Sequence, residues 1–403
     1  MKPTLFGYGI TTKAIADSLG GGCTFFDDNI ETPYIDRGGN RIYPSSQFNP
    51  EKSTLEVTTP SFNPRHPLIL DAKNLKSEYD YFYRDMPFSI WISGTNGKTT
   101  TTQMLTHLLK DRGAVSGGNI GTPLAELNRD APIWILESSS YTLHHTREAT
   151  PNIYLLLPIT PDHIDWHGSF ENYLEAKISP IRRMIEGELV LIPYGLKSKL
   201  RDCSAFIVEY DSIEFISRYF GIDSSKLRFK GAFLEDAMLS LAITKALFDD
   251  IDYEKINSFK LDSHRQEEIL DKRGRLWVDD SKATNIDASI RAIEVYSSNY
   301  IRLILGGVYK GADLEPYFKF LSSKELKLYI IGENSSNLKE LADRYGIDFL
   351  ECHTIGRAVE MIDREMSDGD ISLLSPASAS FDQFKSYKDR GEQFKKAVAT
   401  LKD

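Results

Sequence analysis

Residues 89–102 read SIWISGTNGKTTTT, and the fold class turns on this stretch. An apolar run, Ile90-Trp91-Ile92, delivers a loop carrying Gly94, Thr95, Asn96, Gly97, Lys98, Thr99 and Thr100 into a helix expected to start near Lys98. Strand, glycine loop and helix N-terminus together make a phosphate cradle. The glycines let the backbone turn and present N–H donors, and the helix end adds partial positive charge. Lys98 is placed to reach terminal phosphates and the Thr99 hydroxyl to ligate Mg²⁺. The first glycine of the usual P-loop pattern would fall at Ile92, so the match is imperfect. The chain is expected to handle a nucleoside triphosphate.

On either side of this loop the pattern is α/β. Residues 4–28 read as strand (Thr4–Phe6), glycine turn (Gly7-Tyr8-Gly9), helix (Thr11–Leu19) and strand (Cys23–Phe26), a small nucleotide-type βαβ opening. Thr12 stands where a third glycine would be, and Asp27-Asp28 follows roughly 20 residues after the turn, where a ribose-contacting carboxylate often lies. On these residues alone a structural turn and a ligand site fit equally well. Short strands are expected at Leu55–Val57 and Leu68–Leu70, closing a first domain at residue 88. Residues 89–260 alternate strands (Ile133–Leu136, Ile153–Leu157, Leu189–Ile192) with helices (Thr100–Lys110, Phe170–Ile185), implying a mainly parallel P-loop sheet. The domain is expected to close on a strong amphipathic helix, Gly231–Phe248. Residues 261–403 open with a hairpin, Glu268–Leu270 and Arg275–Asp279. They continue with strands (Ile301–Leu305, Leu328–Ile331, Ile371–Leu374) and helices (Ile286–Tyr296, Leu338–Tyr345, Ile355–Glu365) as a Rossmann-type unit. The expectation is thus an α/β chain of three domains: 1–88, 89–260 and 261–403.

Composition sets the frame. At 403 residues the length suits two or three domains. Against 58 acidic side chains stand 48 basic ones, net −10, which argues against a nucleic-acid or anionic-membrane partner. Cys23, Cys203 and Cys352 are few, odd in number and far apart, as expected of reduced thiols in a cytosol. No apolar run is long enough to span a bilayer and no signal-peptide core appears at the N-terminus. A soluble, cytoplasmic protein is expected.

Polar residues then recur at strand ends. Glu137 closes Ile133–Leu136 and precedes Ser138-Ser139-Ser140, where a P-loop protein holds Mg²⁺ directly or through water. His163, in Pro161-Asp162-His163-Ile164-Asp165, follows Ile153–Leu157 at the carboxyl end of a parallel strand, where α/β sites form. Lys177 lies on the helix after it. Together, Ser93–Thr99, Glu137–Ser140, Pro161–Asp165 and Lys177 resemble the Mur ligase family, the ATP-dependent amide ligases of peptidoglycan synthesis. Asp280–Asn285, Leu305–Asp313, Leu374–Ser380, Asp382–Phe384 and Arg390-Gly391 are similar to its D-glutamate-adding branch, so the likeness spans essentially the whole chain.

That resemblance implies a peptidoglycan-precursor ligase for cell wall and cell division, with ATP, two Mg²⁺ ions and the small-molecule substrates UDP-N-acetylmuramoyl-L-alanine and D-glutamate. It implies that ATP phosphorylates the L-alanine carboxylate and that the D-glutamate amine attacks the acyl phosphate. Gly94–Thr100, Arg265, Asp280 and Lys282 would contact ATP; Thr99, Glu137, His163 and Lys177 would hold metal. Lys98, His163, Lys177 and Arg265 would act in catalysis, Lys177 as a carbamate, since an ammonium beside two divalent cations would be repelled while a carbamate is an anionic oxygen ligand. Gly9, Ile10, Thr11, Asp28, Asn119, Ser139 and Thr142 would contact the UDP substrate, and Thr284, Lys310, Ser380 and Tyr387 would grip D-glutamate. His163 is one candidate to deprotonate the amine, and the sequence leaves that choice open. The chain departs from the family pattern at Thr142, usually glutamine, at Tyr387, usually phenylalanine, and at Phe233–Asp236 in place of a His-Asn pair, with Asp236 the candidate substitute. A monomer is expected. The rival readings are a folylpolyglutamate-type ligase and a non-catalytic nucleotide-binding regulator.

Overall fold

A computed structural model of the chain describes residues 2–200, 203–309 and 313–401. It forms two compact units, Met1–Arg228 with Phe233–Phe259, and Phe229–Ala232 with Lys260–Asp403.

The first unit holds two six-stranded sheets. One runs in the order Tyr34–Ile35, Arg41–Pro44, Thr24–Asp27, Thr4–Phe6, Glu56–Thr58, Leu75–Lys76, and only its first pair is antiparallel. The other is wholly parallel, in the order Phe206–Tyr210, Leu189–Pro193, Ile153–Leu156, Phe88–Ser93, Ile133–Glu137, Ala114–Gly118. Its central strands are buried on both faces, which is why Ser89–Ser93 and Ile133–Glu137 read as near-continuous apolar runs rather than alternating ones. One core cluster joins Leu5, Phe25 and Val57 to Trp91, Trp134 and Tyr154.

The second unit is a six-stranded sheet in the order Glu267–Leu270, Leu276–Asp279, Ile371–Leu374, Ile301–Leu305, Leu326–Ile331, Phe349–His353. Among the strands of the described residues the Glu267–Leu270/Leu276–Asp279 hairpin is antiparallel and the other pairs parallel, and helices pack on both faces around Leu303, Leu328 and Leu373 on one side and Trp277, Ile304 and Phe394 on the other. Three mainly parallel α/β sheets agree with the fold class expected from sequence.

Three local expectations need correction. Leu68–Leu70 is not a strand but part of the helix Pro67–Asp71, because Pro67 presets the first helical turn and His66 caps it, its Nδ1 accepting from the Leu68 N–H at 3.2 Å. The Phe170–Ile185 helix stops at Ile178, ahead of Pro180. Gly231–Phe248 is helical throughout but not amphipathic: Asp236–Thr244 are buried on every face, so it is a core helix.

Candidate functional site

The residues singled out in the first unit gather at the C-terminal ends of four adjacent parallel strands. The register sets them level: Ser93 pairs with Leu156, Ile92 with Glu137, and Glu137 with Gly118. In an open parallel sheet this edge is where ligands bind.

Past Ser93 the chain turns into the helix Lys98–Leu109. Gly97 precedes that helix at φ +81°, a left-handed conformation that favours glycine, and a Cβ there would stand 2.6 Å from Oδ1 of Asp236. Thr95 anchors the loop. Its N–H donates to the Pro158 carbonyl at 3.1 Å, and its hydroxyl lies 3.0 Å from the Thr160 carbonyl and 2.9 Å from the Tyr173 hydroxyl. Lys98 bends back over the loop and donates to the carbonyls of Gly94 (2.9 Å) and Thr95 (2.7 Å). Lys98, Thr99 and Thr100 are the first residues of the helix, so their N–H groups have no intrahelical acceptor and the dipole's positive end lies here.

Beneath this loop lies Lys177, 1% exposed, with Nζ donating to the Gly94 carbonyl at 2.7 Å and 3.4 Å from Ser93 Oγ. Burial, and then the Lys98 ammonium, hold its amine well below the usual lysine range, against the pull of Asp162 and Glu137. The Tyr173 ring, one helical turn earlier, sits 4.8 Å from Nζ. Glu137 is also buried. Asn119 Nδ2 donates to its Oε1 at 2.7 Å, while Oε2 has no hydrogen-bond partner among the described residues. A buried carboxylate oxygen with no donor is costly unless a cation or proton meets it. His163, at φ +52° ahead of the short helix Ile164–His167, has Nδ1 2.7 Å from the Tyr141 hydroxyl and Nε2 3.6 Å from Asp162. Ser139 caps the helix Ser140–His145: its Oγ accepts from the Thr142 N–H at 3.1 Å and lies 2.9 Å from the Thr142 hydroxyl.

At the edge of the first sheet, Gly9 precedes the helix Ile10–Ser18, with Ile10 exposed and Thr11 half-buried. Thr12, where a third glycine was missing, donates its hydroxyl to the Gly7 carbonyl at 2.5 Å and so closes the turn another way. Asp27, rather than Asp28, accepts from the Tyr8 N–H at 2.7 Å, while Asp28 lies 3.0 Å from His66 Nε2.

The second unit brings its own residues together. His264 Nδ1 donates to buried Asp279 Oδ2 at 2.6 Å, and His264 (φ +68°) and Gln266 (φ +48°) flank Arg265 in left-handed conformations. Asp280 grips the far side, accepting from the Gln266 N–H at 3.3 Å and the Ser375 hydroxyl at 2.9 Å; burial pushes its carboxyl up to about 8. His264, Glu267 and Asp279 also offer ligand atoms within 4.8 Å of one another, but the His264–Asp279 hydrogen bond and Lys395, 3.4 Å from Glu267, already occupy those atoms. Lys282 Nζ lies 4.2 Å above the Tyr387 ring, Thr284 is half-buried and Ser380 buried. Lys310 lies outside the described residues. Sequence reasoning missed Tyr173 and His66, and quoted Arg390 only within a motif without giving it a role. Tyr173 alone carried a signal, four residues before Lys177 and hence on the same helix face.

A family model described as the Mur ligase middle domain matches residues 92–205. The UDP-N-acetylmuramoylalanine–D-glutamate ligase of Campylobacter jejuni strain RM1221 is 46% identical, covering 99% of each chain. That of Helicobacter pylori strain HPAG1 is 44% identical over 100% of each. Among solved structures, the MurF ligase of Thermotoga maritima in complex with ADP superposes with a TM-score of 0.62 at 15% identity, covering 98% of this chain and 94% of that one. The folylpolyglutamate synthase of Mycobacterium tuberculosis complexed with ADP and AMPPCP gives 0.54 at 14% identity, over 79% and 93%. At such identities the superpositions speak for the fold alone, whereas the sequence relatives run the full length at close to half identity: the chain belongs to the Mur ligases, within the family of UDP-N-acetylmuramoylalanine–D-glutamate ligases.

Proposed function

We propose that this enzyme joins D-glutamate to the L-alanine carboxylate of UDP-N-acetylmuramoyl-L-alanine with conversion of ATP to ADP and phosphate. Full-length identity to ligases of that name supports this reading over the folate-type one, whose representative shares only the fold. A carboxylate is a poor electrophile with a poor leaving group, and transfer of the γ-phosphoryl group repairs both defects. The oxygen that was carboxylate then leaves with phosphate as the amine attacks.

The observation that carries the reading is the polar cluster beneath the phosphate loop. Lys98 and the positive N-terminal end of its helix offset charge on the transferring phosphoryl group. Glu137 Oε2, without a hydrogen-bond partner among the described residues, together with His163 and the Thr99 hydroxyl at the same sheet edge, offers the oxygen and nitrogen donors that a divalent cation takes, so these residues fit Mg²⁺. Bound there, Mg²⁺ would supply Lewis-acid neutralisation of phosphate charge. Asn119, fixed on Oε1, orients that carboxylate. Lys177 is buried with its amine biased toward the neutral form, the form that adds CO₂ with loss of one proton. Its carbamate would place anionic oxygens beside Glu137, where an ammonium would repel a cation. On the UDP side we assign Gly9–Thr11, Asp28, Asn119, Ser139 and Thr142. In the second unit, Arg265, Asp280 and Lys282 are assigned to nucleotide, and Thr284, Lys310, Ser380 and Tyr387 to D-glutamate, whose two carboxylates call for cationic and hydroxyl donors. We further propose a cytoplasmic monomer with domain limits near residues 88 and 260.

Phosphate release from ATP, measured with UDP-N-acetylmuramoyl-L-alanine alone, with D-glutamate and with L-glutamate, tests the assignment. Release is expected only with UDP substrate and D-glutamate together. Release indifferent to the amino acid, or supported by a folate in place of the UDP substrate, would overturn it.

A further inference from the structure

Arg390 sits in a string that marks the family, yet none of the roles above falls to it. It is wholly buried near the start of the helix Tyr387–Ala399. Its Nε donates to the Ser281 hydroxyl at 2.9 Å, and Nη2 donates to the carbonyls of Ser281 (2.8 Å) and Ser378 (3.1 Å). Ser281 lies three residues before Thr284, and Ser378 two before Ser380. The Ser281 hydroxyl in turn donates to the Tyr387 carbonyl at 2.8 Å. One guanidinium therefore ties together the three backbone segments that carry Thr284, Ser380 and Tyr387.

The chain leading toward Lys310 is fastened to the same point. Val308 and Ala379 exchange two backbone hydrogen bonds, at 2.9 and 3.0 Å, and the Ser378 hydroxyl donates to the Gly306 carbonyl at 2.7 Å. Burial draws the Arg390 pKa down to about 10, against the pull of Asp382, Tyr309, Asp279 and Asp280. A buried charge is not the cheapest way to fill this space; apolar side chains of similar volume often stabilise as well or better. What a guanidinium supplies is a rigid planar fork of five donors, able to hold a hydroxyl and two carbonyls at fixed separations, which a lysine ammonium on a flexible stem does not.

We propose that Arg390 is a positioning residue for D-glutamate: it fixes the spacing of the Asp280–Asn285 and Ser375–Ser380 loops so that donors on both meet a dianionic amino acid. This rests on the D-glutamate reading above. Two carboxylates on one short chain demand donors at two set distances, and a misplacement of about 1 Å costs on the order of 100-fold in rate. A purely structural arginine would instead lower stability and affect all substrates alike.

The test compares steady-state KM for D-glutamate, ATP and UDP-N-acetylmuramoyl-L-alanine in the wild type, Arg390→Lys and Ser281→Ala, with thermal unfolding of each. Arg390→Lys is expected to raise the D-glutamate KM about tenfold or more, with the UDP-substrate KM within about twofold and the ATP KM, whose Asp280 and Lys282 share the tethered loop, rising less than that for D-glutamate. Ser281→Ala, which removes one acceptor and one donor from the knot and leaves both Nη2 bonds, should shift the same KM about fivefold. Should Arg390→Lys not fold, Ser281→Ala decides. A wild-type D-glutamate KM in both folded variants, or parallel rises for all three substrates, would overturn the assignment while leaving the ligase reading intact. A wild type indifferent to D-glutamate would overturn the ligase reading, and this inference with it.

Discussion

Gly391→Ala should weaken this protein although alanine is the better helix former. Gly391 lies within the helix Tyr387–Ala399, where replacing glycine normally gains about 0.5–1 kcal/mol. A Cβ at this position, however, would overlap His264 Nδ1 and stand 2.8 Å from both His264 Cε1 and Asp279 Oδ2. None of these is the loose end of a flexible chain, since the imidazole and the carboxylate are buried and bonded to each other. Separating them leaves a buried carboxylate short of a donor, costing about 1.5–3 kcal/mol, and overpacking adds about 1–3. Less the helix gain, the net loss is about 2–5 kcal/mol. At about 2–4 °C per kcal/mol for a unit of this size, the midpoint should fall by roughly 4–20 °C. The matched control is Gly356→Ala near the start of the helix Ile355–Glu365, whose Cβ would meet nothing within 4 Å and which should be neutral or slightly stabilising. Differential scanning calorimetry on the two variants reads the contrast. A Gly391→Ala protein as stable as Gly356→Ala would refute the packing of the His264–Asp279 pair against that helix.

Lys177→Ala should lose nearly all ligase activity, on the order of 10²-fold or more, and regain part of it with added formate or acetate, while Lys177→Arg, which forms no carbamate, stays inactive; wild-type activity of Lys177→Arg would end the carbamate assignment. Buried Glu78, pushed up to about 8, holds a proton that the unfolded chain releases above about 4.5, so stability falls as pH rises through that window, by up to about 1.4 kcal/mol per pH unit. Glu78→Gln should flatten this slope and raise the midpoint at pH 8, as thermal melts across pH 5–8 would report. His145, buried and held down to about 4, has the opposite sign: the unfolded chain gains a proton below about 6.5 that the folded chain refuses, so stability is lost as pH falls toward 4. His145→Gln should reduce that acid loss in melts at pH 4.5–6.5.

Much of the fold was legible because its strands are buried and its turns chemically marked. Thr4–Phe6, Ile301–Leu305 and Ile371–Leu374 stand where their apolar runs put them, and the Lys98 helix begins at the residue after Gly97. Strands of mixed character escaped notice. Ala114–Gly118 carries two glycines and a serine, and Arg41–Pro44 has neither an apolar run nor clean alternation. Leu68–Leu70 misled because three apolar residues cannot distinguish strand from helix, and the proline before them decides it. In the structure, Glu137 and His163 stand at one sheet edge with the phosphate loop, where their strand-end positions put them. The hydrogen bonds that hold Asn119 on Glu137, or Arg390 on Ser281 and Ser378, join residues 18, 109 and 12 positions apart and leave no local pattern.

The most direct measurement is isotopic. UDP-N-acetylmuramoyl-L-alanine labelled with ¹⁸O in both oxygens of the alanine carboxylate is turned over with ATP and D-glutamate, and the released phosphate is analysed by mass. Activation as an acyl phosphate predicts one ¹⁸O in every phosphate released and one retained in the new amide. Unlabelled phosphate would mean that ATP is cleaved by water rather than by the substrate carboxylate, and would contradict the proposed reaction.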